Sequence, residues 1–518
     1  MVTLGWTDCH SYHFLHSNQT FTEDKTRQTV DVAIMKQMNN NKIASATKWS
    51  AITEIVAKLI LPITNMVLAR LLAPEAFGVV ATITMIVSFA EIFTDAGFQK
   101  YLIQHEFEND TDREESTTVA FWSNFILSII LWIVIGIFSE PLAVIVGNPG
   151  LGNVITIACV SIPLAAFSSI QMALYKRDFD FKTLFKVRIA GIAMPIVVTI
   201  PLAIWLHSYW ALVIGTIATN AVNAIVLTAY SKWKPRLFYS LNKLKEMLSF
   251  SIWSMIEAIS IWLTGYLDIF IIGVYLNEYF LGIYKTSMTT VGQITSLITA
   301  ATTPILFSAL SRLQQDRSAF KEMFFKFQKL VGMLVIPLGI GIFCFRDLIT
   351  QILLGSQWSE ASNFIGLWGL TSAITIVLSH YSSEVYRSLG KPKLSVLAQI
   401  LHIVALCPAM LIAVKYNWDV IYITRSIIRL ELVLVNLVIM YYAVRISPRQ
   451  MIGNIMPSTI AGLLMGVLGL ALLSIGSSTI WSLASVLICT AAYILIILLF
   501  KDERAVLLNF IERMKNKK

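Results

Sequence analysis

The feature that most constrains this chain is a succession of fourteen apolar segments, each near the ~20 residues an α-helix needs to cross a bilayer. They run over approximately 48–71, 77–98, 117–138, 151–174, 184–206, 209–230, 248–273, 281–307, 328–345, 361–385, 394–414, 419–443, 453–475 and 479–500. In hydrocarbon each backbone N–H and C=O must be satisfied internally, so isolated runs of this kind cross as helices. Only 14% of the 518 residues are charged and 56% are hydrophobic, whereas soluble domains carry about 25% charge. The predicted fold class is therefore an all-α polytopic membrane protein.

Loop charges set its orientation. Loops after even-numbered segments, with the C-terminal tail, hold 28 Lys and Arg; loops after odd-numbered segments hold three, Arg70, Arg346 and Lys415. Basic residues collect on the cytoplasmic side, which predicts both termini inside. The net charge of +9 then reads as a face against anionic lipid and implies no nucleic acid. The loop 99–116 is the acidic exception (Glu106, Glu108, Asp110, Asp112, Glu114, Glu115), and acids weigh little in topology. Outward loops are short, and the five scattered cysteines form no disulfide framework.

Residues 1–46 are polar. Cys9, His10, His13 and His16 are metal-binding residue types without the fixed geometry a site needs. Met35 and Met38 precede the first apolar segment as alternative starts, and no function is placed ahead of them. After Phe500 a basic tail with Ala505, Leu507, Leu508, Phe510, Ile511 and Met514 reads as a short interfacial helix.

Displacing the sequence by 204 residues lays Trp49-Ser50 on Trp253-Ser254, Gly78 on Gly282, and the elbow Leu71–Gly78 on Tyr275–Gly282. Segments 1 and 7 enter from the same side. Segments 1–6 and 7–12 thus read as two parallel lobes related by an axis along the membrane normal. The expected division is an N-lobe over 47–246, a C-lobe over 247–450, an added helix pair over 451–500 and the tail 501–518. Gly462 and Gly466 form a GxxxG packing step.

A charge at bilayer depth costs at least ~2.5–3.5 kcal/mol on insertion scales, so it faces water or a partner. The acids within segments are Glu54, Glu91, Asp95, Glu257, Asp268, Glu384 and Glu431; the cations are Lys58, Lys285, Arg425 and Arg429. Counting 1.5 Å per residue places Glu54, Lys58, Glu91, Asp95 and Glu257 in the inner half. Asp268, Lys285 and Arg425 fall toward the outer side, with Arg429 nearer the middle. Two polar clusters follow, built either to serve a path for a polar cargo or as structural pairs such as Glu54–Lys58 and Asp268–Lys285.

The runs Leu68-Ala69-Arg70-Leu71-Leu72-Ala73-Pro74-Glu75-Ala76-Phe77-Gly78 and Phe89-Ala90-Glu91-Ile92-Phe93-Thr94-Asp95-Ala96-Gly97 resemble the start of bacterial polysaccharide transporters. Ala120-Phe121-Trp122, Tyr175–Lys182, Trp233-Lys234-Pro235-Arg236, Leu310–Gln314 and Leu389-Gly390-Lys391-Pro392 extend the resemblance, in order, from about Trp49 to Lys501. It is nearest the O-antigen and colanic-acid type flippases, whose superfamily includes multidrug exporters and lipid II flippases. The resemblance implies a two-lobed, V-shaped helical fold in the bacterial cytoplasmic membrane. It also implies flipping of undecaprenyl-diphosphate-linked oligosaccharides by alternating access, with no cofactor. The added helix pair resembles that of lipid II flippases, where it helps form a groove for the lipid tail.

For that cargo, Lys58, Lys285, Arg425 and Arg429 are the candidate substrate-binding cations. Glu54, Glu91, Asp95, Glu257 and Asp268 are candidates for ion coupling or gating. Trp122, Trp253, Trp262 and Tyr266 offer rings for sugars. Expected partners are the lipid-linked substrate, membrane lipids and a polysaccharide polymerase or assembly protein. A multidrug exporter of the same fold is the main rival, but it would want acids with few cations. A polymerase, ligase or glycosyltransferase would want a long outward loop or a soluble domain. Asp110-Thr111-Asp112 and Asp178-Phe179-Asp180 have the DxD form of some glycosyltransferases but lack a nucleotide-binding domain beside them, so no catalytic role is expected.

Overall fold

The computed structural model describes residues 45–506, except positions 47, 96 and 477 and the side chains of 250–254 and 257. Among the described residues there are helices and no strands, and fourteen helices are long and apolar enough to span a membrane. They are α1 (Lys48–Leu71), α2 (Pro74–Asp95), α3 (Asp110–Ile137), α4 (Gly152–Arg177), α5 (Phe181–Leu206), α6 (Trp210–Tyr230) and α7 (Leu241–Tyr275, spanning over Ala258–Tyr275). The second set is α8 (Glu278–Arg312), α9 (Arg317–Cys344), α10 (Ala361–Ser388), α11 (Lys393–Ala413), α12 (Trp418–Val444), α13 (Pro448–Ile475) and α14 (Thr479–Ile497).

Several helices run past their apolar stretch because a side chain caps them in the adjoining loop. Asn109 accepts from Asp112 N (2.8 Å) and starts α3 seven residues before its apolar part, Asp316 accepts from Ser318 N and Ala319 N at α9, and Asn277 accepts from Phe280 N at α8. Each cap satisfies a donor that the first turn leaves free. Prolines and π-helical turns bend the lattice instead of ending it. Such turns lie at Pro195–Thr199 in α5, Ile376–His380 in α10 and Met440–Val444 in α12.

The two lobes meet most tightly where α2 crosses α8. A Cβ on Gly78 would run into the carbonyl oxygen of Glu278, and a Cβ on Gly282 into that of Pro74, both far inside van der Waals contact. Residues 74 and 278, like 78 and 282, are 204 apart. The contact is therefore reciprocal, as a twofold relation requires, and the glycines let two backbones touch at the axis.

Flanking contacts seal this elbow end. Trp358, fully buried, donates from Nε1 to Ala69 O (2.7 Å), and Gln357 Nε2 donates to Ala69 O (2.6 Å) and Leu72 O (3.0 Å). Arg70 donates to Ile352 O at 2.6 Å. Nearby the last turn of α7 meets the chain between α3 and α4, where a Cβ on Gly273 would lie 3.0 Å from Val146 O. Toward the opposite, basic end α8 exposes Ala300, Ala301, Pro304, Ile305 and Ser308. The added pair attaches to the C-lobe: Gly462 and Gly466 admit Ile340 of α9, and Tyr493 of α14 donates to Met333 O (2.8 Å). The GxxxG step is a helix-packing face.

Candidate functional site

The cleft between the lobes is walled by α1, α2, α7 and α8. Pro62, Asn65 and Met66 of α1 face Thr290, Gln293 and Leu297 of α8 across a cavity of about 110 Å³ beneath the elbow seal. Lys58 and Glu54 follow on the same face of α1, one and two turns nearer the basic end. Lys58 is half-buried and Glu54 exposed, and no ion pair joins Lys58 to Glu54 or to another described residue. The intrahelical pair that their spacing allows is not formed.

On the other side of the axis, α2 and α7 close against each other. Trp262 donates from Nε1 to Ser88 Oγ (3.0 Å) and its ring lies 4.7 Å from that of Phe89. Tyr266 stacks on Trp262 at 5.5 Å, and Lys285 Nζ sits 5.2 Å from the Tyr266 ring centre. Lys285 thus stands at the closed end of the cleft on an aromatic face, with no carboxylate within ion-pair distance. Glu91 and Asp95 lie one turn apart near the basic end of α2; Asp95 accepts from the Gln99 side chain, and its Oδ1 is buried without a partner. The Glu257 side chain falls outside the described residues.

The remaining charges lie within the C-lobe, away from the open cleft. Asp268 Oδ2 accepts from Arg425 Nε (2.6 Å) and Tyr284 OH (2.6 Å), while Asp268 Oδ1 accepts from Ile269 N (2.8 Å). Asp268 and Arg425 expose 0% and 6% of their surface. The partner of Asp268 is therefore Arg425, 157 residues away, in place of Lys285. Arg425 and Arg429 both lie against the Trp368 ring, at 4.9 and 3.7 Å, and Arg429 also donates to Ser372 Oγ (2.7 Å). His402 and Glu431 pair at 3.0 Å, and Glu384 pairs with Arg387 at 3.4 Å.

Sequence reasoning missed Asn65, Gln293, Tyr284, Trp368 and Ser372, because uncharged or aromatic residues in apolar segments carry no separate signal. His380, exposed on the π-turn of α10 and 3.4 Å from Thr303 Oγ1, and His402 of α11 were also missed; a histidine within a span is the signal that could have found both.

At the basic end the acidic loop finds its partners in the first lobe, in the connector after α6 and at the start of α7. Arg236 pairs with Glu114 (2.8 Å), Lys243 with Asp112 (2.5 Å) and Glu115 (3.3 Å), and Arg113 with Asp178 (2.8 Å). Burial alone would lower the Lys243 ammonium, but hydrogen bonds and charges from Asp112 and Glu115 raise its pKa above the usual lysine value. Asp180 caps α5 through Thr183 N (3.1 Å) and Oγ1 (2.7 Å). Both DxD runs thus hold structure together. Trp122 donates to Arg236 O (2.7 Å) and anchors the segment between α6 and α7. The Trp253 side chain, the cysteine–histidine run near the N-terminus and the tail beyond Val506 lie outside what the structure describes. Among the described residues no three His, Cys, Asp or Glu are grouped to hold a metal ion.

Two parallel lobes that meet in a sealed elbow end, with Lys58 and Lys285 in ion pairs with no described residue, define a polytopic membrane protein of transporter architecture. The model of the family described as "Polysaccharide biosynthesis protein" matches residues 67–363, and the chain belongs to that family. The succinoglycan biosynthesis transport protein ExoT of Rhizobium meliloti (strain 1021) is 24% identical over 65% of this chain and 67% of its own length. The lipopolysaccharide biosynthesis protein WzxC of Escherichia coli (strain K12) is 21% identical over 62% of this chain and 64% of its own. Among solved structures, the lipid II flippase MurJ in an inward closed conformation superposes with a TM-score of 0.70 at 14% identity, covering 88% of this chain and 99% of its own. An inward-facing multidrug MATE transporter gives 0.52 at 14% identity, covering 84% and 100%. These superpositions bear on the fold.

Proposed function

We propose that the protein flips undecaprenyl-diphosphate-linked oligosaccharide units across the bacterial cytoplasmic membrane for surface polysaccharide assembly. The basic end faces the cytoplasm in this reading, as the loop charges favour. The observation that carries it is the elbow seal together with two intramembrane cations that form no ion pair with a described residue, Lys58 on α1 and Lys285 on α8. A diphosphate supplies the missing negative charge, and the amides of Asn65 and Gln293 suit sugar hydroxyls. The isoprenoid tail stays in lipid while the head group occupies the cleft. ExoT and WzxC, which bear polysaccharide-assembly names, and the MurJ fold support the same cargo class.

Transport then proceeds by alternating access. The head group enters from the basic end, the elbow contacts separate, and the lobes close behind it. Glu91 and Asp95, with Glu54 and Glu257, are the candidate coupling groups near the entrance. Arg425 and Asp268 act as a structural lock within the C-lobe, and Arg429 lines its interior. The chain itself performs no bond chemistry, and its partners are the lipid-linked substrate, the bilayer and a polymerase or assembly protein.

The test deletes the gene in a strain that makes a surface polysaccharide and follows labelled repeat units in each leaflet. Accumulation of lipid-linked units on the inner leaflet is expected. Unchanged glycan with raised drug sensitivity would instead identify a multidrug exporter.

A further inference from the structure

A large, almost wholly apolar cavity lies away from the cleft. It measures about 720 Å³, sits among α3, α4 and α6, and is lined by Phe125, Leu164, Phe167, Ala224 and Ile225. Every lining residue is apolar except Thr228 and Lys234, which stand together at the basic end. Phe125 lies roughly 20 Å along α3 from its start, so the cavity reaches from that end toward mid-membrane. Ile225 is 67% exposed and Ile126 and Ile130 beside Phe125 are exposed, which places the opening on the bilayer side.

A second, separate observation lies at its mouth. The non-helical connector between α6 and α7, residues 231–240, is held to α3 by Trp122 and by the Ser123–Tyr239 hydroxyl contact (3.0 Å). It presents Leu237 at 96% exposure and, just beyond, Leu241 at 72%, with Phe238 and Tyr239 also exposed. Apolar side chains displayed so fully beside Lys232, Lys234 and Arg236 belong at the boundary between head groups and acyl chains. Lys234 is exposed, and its Nζ donates one hydrogen bond, to Thr228 O at 2.5 Å, leaving two protons for a ligand. Arg236 is already engaged by Glu114.

We infer that the back of the N-lobe holds one anionic phospholipid of the adjoining leaflet, its acyl chain in the cavity and its phosphate on Lys234. Leu237, Phe238 and Leu241 sit in the same interface and tether the connector to the leaflet. Because α3, α4 and α6 form this site, it is separate from the cleft walled by α1, α2, α7 and α8, and a flipped lipid in the cleft does not displace it.

Native mass spectrometry of the purified full-length protein, titrated with phosphatidylglycerol or phosphatidylcholine, tests the inference. One phosphatidylglycerol is expected to be retained in preference to phosphatidylcholine. Lys234→Gln should weaken it about five-fold, the effect of roughly 1 kcal/mol per interfacial lysine. Ala224→Trp, which fills the cavity, should abolish retention; if that variant fails to fold, Leu237→Gln should weaken retention of both lipids. Equal retention of the two lipids, unmoved by Lys234→Gln, overturns the site. Displacement of phosphatidylglycerol one for one by undecaprenyl phosphate also overturns it, and assigns the cavity to the substrate tail.

Discussion

Arg425 and Lys58 are both cations at bilayer depth, and their neighbours give them opposite duties. Arg425 is neutralised by Asp268 and held by Tyr284, so removing it strands a buried carboxylate. Arg425→Leu is expected to cost about 3–5 kcal/mol, read as a lower unfolding midpoint in detergent, and Asp268→Leu added to it should recover much of the loss. A single variant as stable as the wild type would refute the lock. Lys58 has no such partner, so its loss should spare the fold. Lys58→Ala is predicted to reduce glycan export about ten-fold or more, the worth of a charged hydrogen bond, at unchanged protein level. Normal export in that variant removes Lys58 from the mechanism.

The crossing of α2 and α8 and the strap at the start of α7 are the elements that set how the lobes meet. No side chain fits between Gly78 and Glu278 O or between Gly282 and Pro74 O, so a methyl at either glycine must push the helices apart. Gly78→Ala and Gly282→Ala are each expected to shift the resting population toward an open elbow end. A cysteine placed at Asn65 should then label from outside with an impermeant thiol reagent several-fold faster than in the parent; unchanged labelling would sink the idea. At the other end, Lys243 has a raised pKa, so its link to Asp112 and Glu115 is complete below the ordinary lysine value of about 10.4. It is lost as pH climbs through the still higher folded value. Thermal melts above pH 10 should fall more steeply for the parent than for Lys243→Gln; parallel curves would show that the strap carries no stability.

Across the whole molecule, the structure is closed by a set of contacts that transport must break. Trp358 bridges the lobes through Ala69 O and Phe77, and truncating a buried tryptophan commonly costs 3–5 kcal/mol. Since that cost falls mainly on the sealed state, Trp358→Ala should open the elbow end further than either glycine variant does. Its measurement is the same labelling of a cysteine at Asn65, and a rate below that of the glycine variants would mean that Trp358 stabilises the C-lobe alone.

Hydropathy and loop charge act by summation along a local stretch, so fourteen spans and a bias in orientation are legible from sequence alone. The elbow at 71–78 and its echo at 275–282 are local too, and the 204-residue displacement marked the glycines that meet at the axis. Lengths were less legible: α3 and α8 run on under caps at Asn109 and Asn277, beyond their apolar windows. What only the tertiary structure decided is which charge answers which. Asp268 is 17 positions from Lys285 and 157 from Arg425, yet α12, packed on α10 and α11, holds Arg425 where its side chain meets Asp268 at 2.6 Å. Glu54 and Lys58 have ideal helical spacing and remain apart. An ion pair inside a membrane depends on how helices distant in the chain lie against one another, and no count along the sequence contains that.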